Sequence, residues 1–126
     1  MFIKKLYLGI IGICIMLFMQ YQNVFGEEKT KIAVIDLEPR VVSTMTSSVI
    51  SDFLRTDLFD TKKFIVVERN QMENILKEQV FQRTGCTTTE CAIEVGKILN
   101  VEQIFVGSVS KLKDTYYINV RVVDVA

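Results

Sequence analysis

The sequence predicts one α/β domain: a mixed β-sheet flanked by helices, with the element order β-α-β-α-α-β-β. Runs rich in Val, Ile and Phe alternate with longer segments whose apolar residues recur every three or four positions. Strand–helix–strand units of this kind form parallel strand pairs with right-handed crossovers. The last two runs are separated by a short polar turn, which predicts an antiparallel hairpin. At 126 residues the chain has room for a single domain.

Four strands are predicted. The first, residues 32–37 (IAVIDL), is almost uncharged, and Pro39 is expected to end it. The others are expected at residues 64–68, 102–111 and 115–125. Gly107 lies inside the third strand, which favours a bulge or close packing there. Alternate residues of the fourth strand form an apolar set that we expect to face the core: Tyr116, Ile118, Val120 and Val122.

Three helices are predicted, over residues 43–58, 71–81 and 87–99. The first has an apolar stripe that we expect to face the core: Val42, Met45, Val49, Phe53, Leu54 and Leu58. Its expected solvent-facing residues are Ser47, Ser48, Asp52, Arg55 and Asp57. The expected N-terminal caps are Ser43 or Thr44, then Asn70, then the capping-box pair Thr87 and Glu90. Asn100 is expected to end the third helix.

The first 26 residues have the layout of a secretory signal peptide. Lys4 and Lys5 form a basic start, and residues 6–19 form an uncharged apolar run. We expect cleavage after Gly26, which leaves residues 27–126 as the exported α/β domain.

Two other interpretations of this segment are an uncleaved anchor and a lipoprotein. As a helix, the apolar run spans roughly 21 Å, less than the ~30 Å hydrocarbon core of a bilayer. Lipid attachment at Cys14 is disfavoured because the bulky Ile13 precedes it and because it lies inside the apolar run. The cleaved signal peptide is therefore the favoured interpretation.

Composition argues against several classes of function. Fifteen Lys and Arg balance 15 Asp and Glu without a basic stretch, so nucleic-acid binding is not expected. The chain has no His, which is the commonest general base and metal ligand. We therefore expect no cofactor, no metal site, no catalytic residue and no enzymatic activity.

Carboxylates at strand ends are the remaining candidates for acid–base chemistry. Asp36 and Glu38 lie near the end of the first predicted strand and Glu68 closes the second, where α/β proteins place ligands. Arg40 and Arg69 follow them in the sequence. Surface pairing or helix capping is therefore favoured over an active site.

Cys86 and Cys91 lie in GCTTTEC, between the second and third helices. In an exported chain, two cysteines this close predict a structural disulfide. The closed loop is small, so its contribution to stability should be roughly 2 kcal/mol. Three alternatives are a redox pair, because Cys91 would lie in a helix's first turn, a metal site and free thiols. Two thiolates without His cannot fill a zinc site.

Several of these segments resemble a known family. IAVIDLEP, FIVVERNQ, GCTTTEC and IFVGSVS are similar to the CsgG-like family of exported proteins, which includes the curli production assembly/transport component CsgG. The family's fold is related to the amino-terminal domain of TolB and to LpoB. The most specific pieces are residues 67–69, the cysteine pair and residues 106–109. The resemblance implies a periplasmic, non-enzymatic domain that assembles with other envelope proteins.

The sequence departs from the curli secretion component in two respects. That component is a lipoprotein and forms a pore from long transmembrane hairpins, whereas this sequence has neither a lipid-attachment motif nor such segments. Pore formation is therefore not implied. We also expect related chains to continue beyond Ala126, because the chain stops directly after a predicted strand and would otherwise leave a sheet edge uncovered.

The predicted function is that of an interaction or assembly domain in the periplasm, with outer-membrane association through its partners. Envelope proteins and further copies of the chain are the expected partners. Membrane contact is expected only through partners or an uncleaved signal. The two alternatives are a subunit of an outer-membrane secretion ring and a thiol–disulfide redox protein. The predicted binding surface is the exposed face of the last strand: Tyr117, Asn119 and Arg121.

Export and the disulfide can be tested together by one intact-mass measurement. The protein is isolated from the envelope of the cells that make it and alkylated without reductant. The expected mass is that of residues 27–126, without alkylation and lacking the two thiol hydrogens of Cys86 and Cys91. A full-length mass carrying alkylated thiols would contradict both processing and the bridge.

Overall fold

The computed structural model describes residues 1–20, 26–78 and 86–126. Its helices are α1 (Phe2–Gln20), α2 (Thr44–Asp60), α3 (Arg69–Glu78) and α4 (Thr89–Leu99). Its strands are β1 (Thr30–Val34), β2 (Glu38–Arg40), β3 (Phe64–Val66), β4 (Gln103–Leu112) and β5 (Thr115–Asp124). The predicted α/β class and the predicted mixed sheet with flanking helices are confirmed.

Parts of two predictions lie outside the described residues. They are the last three residues of the helix predicted over 71–81 and residues 21–25, which precede the predicted cleavage site. The side chains of α1 are exposed as far as Phe18. Within the described ranges, no helix combines the length and apolarity that crossing a membrane requires.

The long strand β4 is the centre of the sheet. On one side, β5 pairs with it antiparallel over ten residues, which confirms the predicted hairpin. On the other side, β1 pairs parallel with the first half of β4, and β2 pairs parallel with the second half. β3 pairs parallel with β1. The helical crossovers between parallel strands are therefore present as predicted.

The first predicted strand is interrupted. β1 ends at Val34, and β2 resumes the pairing with Pro39 at its centre, so the prediction that Pro39 ends the strand is wrong. Proline is tolerated there because β2 is a short strand that pairs with β4 alone among the described strands. Residues 35–37 bridge the gap, and only the Ile35 N–H reaches β4, at 3.0 Å from the Phe105 carbonyl oxygen.

Helix ends follow the predictions with small shifts. Ser43 caps α2 by accepting a hydrogen bond from the Thr46 N–H at 3.0 Å, and Asn100 ends α4 in the left-handed conformation with φ 52°. The cap of α4 is Thr88, one residue after the predicted Thr87. α3 begins at Arg69, so the predicted cap Asn70 lies inside the helix.

One face of the sheet holds the main hydrophobic core. α3 and α4 pack there against β1, β4 and the end of β5. Val123 and Val125 close the core beside α4. The fully buried members come from both the sheet and α4: Ala33, Ile104, Val106 and Ala92.

α2 lies over β1, β2 and β3 on the opposite face of the sheet, and its orientation is the reverse of the predicted one. The residues that α2 buries are polar: Ser47, Ser51 and Arg55. Much of the predicted core stripe is exposed to solvent instead: Met45, Val49 and Phe53. Ser47, Ser51 and Arg55 therefore face the sheet. A hydrophobicity pattern predicts that Ser47 and Arg55 face solvent, and it does not assign Ser51 to either side.

The interruption between β1 and β2 explains this orientation. The Leu37 N–H donates to Ser51 Oγ at 2.9 Å, and Ser47 Oγ donates to the Leu37 carbonyl oxygen. Arg55 donates to the Val34 carbonyl oxygen from Nη2 at 2.7 Å and from Nε at 3.1 Å. Buried backbone groups left without such partners cost about 1–3 kcal/mol each. The polar stripe of α2 therefore has to face the sheet.

The prediction of which β5 face is buried is also wrong. Val123 lies in the core, and Arg121 contacts the residues that precede α4. Because side chains alternate along a strand, the predicted core set lies on the other face. Tyr116, Ile118 and Val122 are about half exposed there. Alternation separates the two faces of a strand, but it does not say which face a helix will cover.

Gly107 lies at a close approach between β4 and β5. A Cβ at this position would overlap the backbone carbonyl oxygen of Asn119 on β5. The predicted close packing at Gly107 is confirmed. A Cβ on Gly96, in α4, would instead meet the side chain of Val125, next to the last residue of the chain.

The substitution Gly107→Ala should destabilise the fold by about 3 kcal/mol, since the backbone of β5 must shift to admit the methyl group. The matched change Gly96→Ala should cost clearly less, because the added methyl group meets a side chain, Val125 near the end of the chain, and not a backbone, and because alanine favours the helix. Urea unfolding followed by circular dichroism measures both. Equal losses for the two variants would contradict the backbone contact at Gly107.

Candidate interaction surface

The first candidate carboxylate, Asp36, is held between two arginines. Its oxygens lie 2.5 Å from Arg55 Nη2 and 2.7 Å from Arg69 Nη2. Asp52 joins the same two arginines, at 2.5 Å from Arg55 Nη1 and 3.0 Å from Arg69 Nη1. The cluster ties α2, the end of β1 and the start of α3 together, and both carboxylates have opposite charges beside them.

Arg69 is fixed further by Glu73. A hydrogen bond of 2.8 Å from Arg69 Nε to Glu73 Oε1 raises the pKa of the guanidinium above its ordinary value, and the charges of Asp36 and Asp52 raise it further. Glu38 pairs with Arg40 at 2.9 Å on the surface. Asp36 and Glu38 are thus engaged in pairing, although Asp36 uses Arg55 and Arg69 and not Arg40. Within the described ranges, no three carboxylate or cysteine side chains cluster closely enough to hold a metal ion.

A disulfide joins Cys86 and Cys91, whose Cα atoms are 5.8 Å apart. Both residues are buried. The bridge encloses Thr88, whose Oγ1 accepts a hydrogen bond from the Cys91 N–H at 3.2 Å at the start of α4. Burial limits the access of an attacking thiolate to either sulfur, so this geometry suits a structural bridge better than an exchanging one.

The predicted binding residues on β5 lie on the α4 side of the sheet. Arg121 donates to Thr89 Oγ1 at 2.9 Å and to the Thr87 carbonyl oxygen, so it holds the disulfide loop against β5. Tyr117 and Asn119 are exposed. The structure brings Arg121 together with the loop that contains Cys86 and Cys91, and a binding role for this face stays a prediction.

A second surface is more apolar, and the sequence did not reveal it. We call Met45, Val49 and Phe53 the apolar ridge: they follow one another at intervals of four along the solvent side of α2. Met45 is 77% exposed and Phe53 is 65% exposed. The signal that could have found the ridge is Ser47, Ser51 and Arg55, a polar stripe at the same spacing of four.

A second set of exposed apolar residues, which we call the open face, is formed by Tyr116, Ile118 and Val122 of β5. It is on the side of the sheet where α2 packs, but α2 covers β1, β2 and β3 and leaves β5 bare. Ile118 is 54% exposed. In the register of the hairpin, Ile118 lies opposite Val109, and Val122 lies opposite Phe105. The open face therefore continues a row of apolar side chains from β4 to the free edge.

Ridge and open face together place large apolar side chains on one side of the domain. Scattered single exposed apolar residues are ordinary on protein surfaces, whereas neighbouring ones, such as the three that recur every four residues in the ridge, mark interaction sites. This surface can bind apolar side chains of another protein, and Tyr116 supplies the one polar group of the two sets, its phenol hydroxyl.

The sequence of this domain matches the model of a known protein family. The family model described as "Curli production assembly/transport component CsgG" matches residues 26–116, which is most of the chain. The chain belongs to the CsgG family. The matched segment includes the α2 ridge, the disulfide and β4, and it ends at Tyr116, the first residue of the open face.

Solved structures show the same fold. The LpoB C-terminal domain from Escherichia coli matches with a TM-score of 0.64 at 15% identity, over 80% of this chain and 76% of that chain. The LpoB C-terminal domain from Salmonella enterica matches with a TM-score of 0.60 at 14% identity, over 85% and 80% of the two chains. The solution structure of E. coli LpoB matches at 0.59 over 77% of this chain and 51% of that one. No curated protein sequence matches.

The polar attachment of α2 can be tested at Arg55, which is 7% exposed. Arg55→Ala removes the donors to the Val34 carbonyl and one partner of Asp36, so it should lower the free energy of unfolding by about 3 kcal/mol. Arg40→Ala removes only the exposed pair with Glu38 and should cost less than about 0.5 kcal/mol. Urea unfolding of the two variants measures the difference, and a mild Arg55→Ala would refute this account of α2.

Proposed function

We propose that this member of the CsgG family is exported, is cut after Gly26 and acts in the periplasm as a non-enzymatic interaction domain of the cell envelope. In this proposal, the domain binds another protein through the apolar ridge and the open face. The family's description, a component of assembly and transport, supports an envelope role. The LpoB-like fold supports an α/β domain of this kind.

The single observation behind the binding role is that α2 presents Met45, Val49 and Phe53 to solvent, on the side of the sheet that also carries the open face. Burying apolar surface stabilises by about 25 cal/mol per Å². A protein that covered the ridge and the open face would gain this term without breaking any contact described above. The polar contacts of α2 with β1 and β2 lie on its other side and remain intact.

Export is supported by the first residues. α1 is an apolar helix, and the basic Lys4 and Lys5 lie in its first turn. A disulfide between Cys86 and Cys91 also suits an oxidising compartment. Both features support export to the periplasm.

The surface can be tested by photo-crosslinking in intact cells. A photo-reactive amino acid replaces Ile118 on the open face, or Ile65 on β3, which is 52% exposed and serves as the matched control. Crosslinks to protein should form at position 118 and be absent at 65, and mass spectrometry of the product identifies the partner as an envelope protein or as this chain. Equal labelling at both positions, or crosslinks only to cytoplasmic proteins, would overturn the proposal.

A further inference from the structure

We propose that a cavity at the carboxyl end of β1 is a further binding site. It binds one large apolar side chain of a partner protein, together with a basic residue next to that side chain in the partner's sequence. The site shares no residue with the ridge or the open face. The inference therefore goes beyond the proposed function and is tested separately from it.

The cavity lies where the first strand of the sheet is interrupted. Its volume is about 200 Å³. Residues 35–37, between β1 and β2, line one side of it, the first turn of α2 lines a second side, and α3 lines a third. Sheets of parallel strands place ligands in crevices of this kind, outside the carboxyl ends of the strands.

The walls of the cavity are mostly apolar. Leu37, Met72 and Val95 are buried and form its deep part, and the half-buried Leu76 follows Met72 by one turn of α3. α2 contributes small hydroxyl side chains, such as Ser47, which occupy little of the space between the helices. Apolar cavities of this kind favour apolar groups over water. The interior therefore suits an apolar side chain.

The volume of the cavity favours one side chain over a larger ligand. Pockets for drug-sized molecules and cofactors have volumes of about 300–1,000 Å³. A dry apolar cavity of about 150 Å³ is sufficient for benzene. A cavity of about 200 Å³ therefore accommodates a group of the size of a Leu, Met or Phe side chain. Contacts between proteins are commonly anchored by a side chain that enters a pocket of the partner.

The mouth of the cavity has an excess of negative charge. Asp36 and Glu73 line it, and 38% and 57% of their side chains are exposed, whereas no Lys or Arg is among the described residues that line it. The ion-pair cluster at this mouth contains three carboxylates (Asp36, Asp52 and Glu73) and two guanidiniums (Arg55 and Arg69), which leaves a net charge of −1. Charge complementarity therefore favours a cation and disfavours a carboxylate or phosphate.

Glu73 is the residue best placed to contact this cation. Its Oε1 accepts a hydrogen bond from Arg69 Nε at 2.8 Å, and a carboxylate has two oxygens that can accept further bonds. Asp36 already accepts hydrogen bonds from two arginines and from Ser48. Because Glu73 precedes Leu76 by three residues on α3, the two side chains lie on the same side of the helix. A basic residue beside an apolar one in a peptide matches this arrangement.

The test is a titration followed by nitrogen–proton correlation NMR of the full chain in the form that cells accumulate. The probes are the blocked dipeptides N-acetyl-Leu-Lys-amide, N-acetyl-Leu-Glu-amide and N-acetyl-Ala-Lys-amide. The Leu-Lys probe should shift the amide signals of Leu37, Met72 and Leu76 with a dissociation constant in the millimolar range, because it buries one apolar side chain. The Leu-Glu probe should bind about fivefold more weakly. The Ala-Lys probe should not bind measurably.

Two pairs of variants test the apolar and the charged part of the site. Thr44→Phe places a ring at the exposed mouth of the cavity and should weaken binding of the Leu-Lys probe at least about fivefold. Thr56→Phe, about three turns further along α2, should leave that binding unchanged. Glu73→Gln should bring the affinities for the Leu-Lys and Leu-Glu probes within about twofold of each other, because carboxylates and guanidiniums are then equal in number. Asp60→Asn, at the far end of α2, removes the same charge and should keep the preference for Leu-Lys.

Four results would overturn this site. The first is the absence of shifts at Leu37, Met72 and Leu76 up to about 20 mM of the Leu-Lys probe. The second is equal affinity of the unaltered protein for the Leu-Lys and Leu-Glu probes. The third is tighter binding of n-hexylamine than of the Leu-Lys probe, which would assign the cavity to a free amphiphilic amine and not to a protein. The fourth is unchanged binding by a folded Thr44→Phe variant. Crosslinking at Ile118 reports on the open face alone, so each proposal can fail without the other.

Discussion

The attachment of α2 to the gap between β1 and β2 governs the rest of this fold. Where the strand is interrupted, Val34 and Leu37 leave the ladder of β4 with backbone groups that need partners. Ser47, Ser51 and Arg55 provide them from three successive turns of one helix. Leaving these buried backbone groups unpaired would cost more free energy than exposing three apolar side chains of the same helix. The polar side of α2 therefore faces the sheet.

The same contact organises the charges around it. Arg55 reaches past the Val34 carbonyl to Asp36 and Asp52, and these carboxylates in turn hold Arg69 at the start of α3. One buried arginine thus connects the break in the sheet with the helices on both of its faces. Asp36, the carboxylate that follows β1 at the edge of the sheet where an α/β protein often binds a ligand, is occupied by this network.

The two faces of the sheet are closed by different means. On the core face, α3 and α4 bury apolar side chains, and the disulfide, Thr88 and Arg121 fix the start of α4 against β5. On the other face, α2 is the one helix among the described residues, and its polar side packs over β1, β2 and β3. The exposed apolar side chains that result lie on the α2 side of the sheet, and this asymmetry supports the proposed binding role of this CsgG-family domain.

Local pattern by itself determined the element types, the hairpin, the caps Ser43 and Asn100, the tight packing at Gly107 and the pairing of Cys86 with Cys91. Each of these features depends on residues that are close in the sequence or that lie on directly adjacent strands. The candidate surface could not be predicted in this way, because alternation in β5 and periodicity in α2 separate the two sides of each element without saying which side faces the core. Only the tertiary structure decided that side, because the interruption of the first strand created distant backbone groups that α2 had to satisfy, and its position then left β5 uncovered.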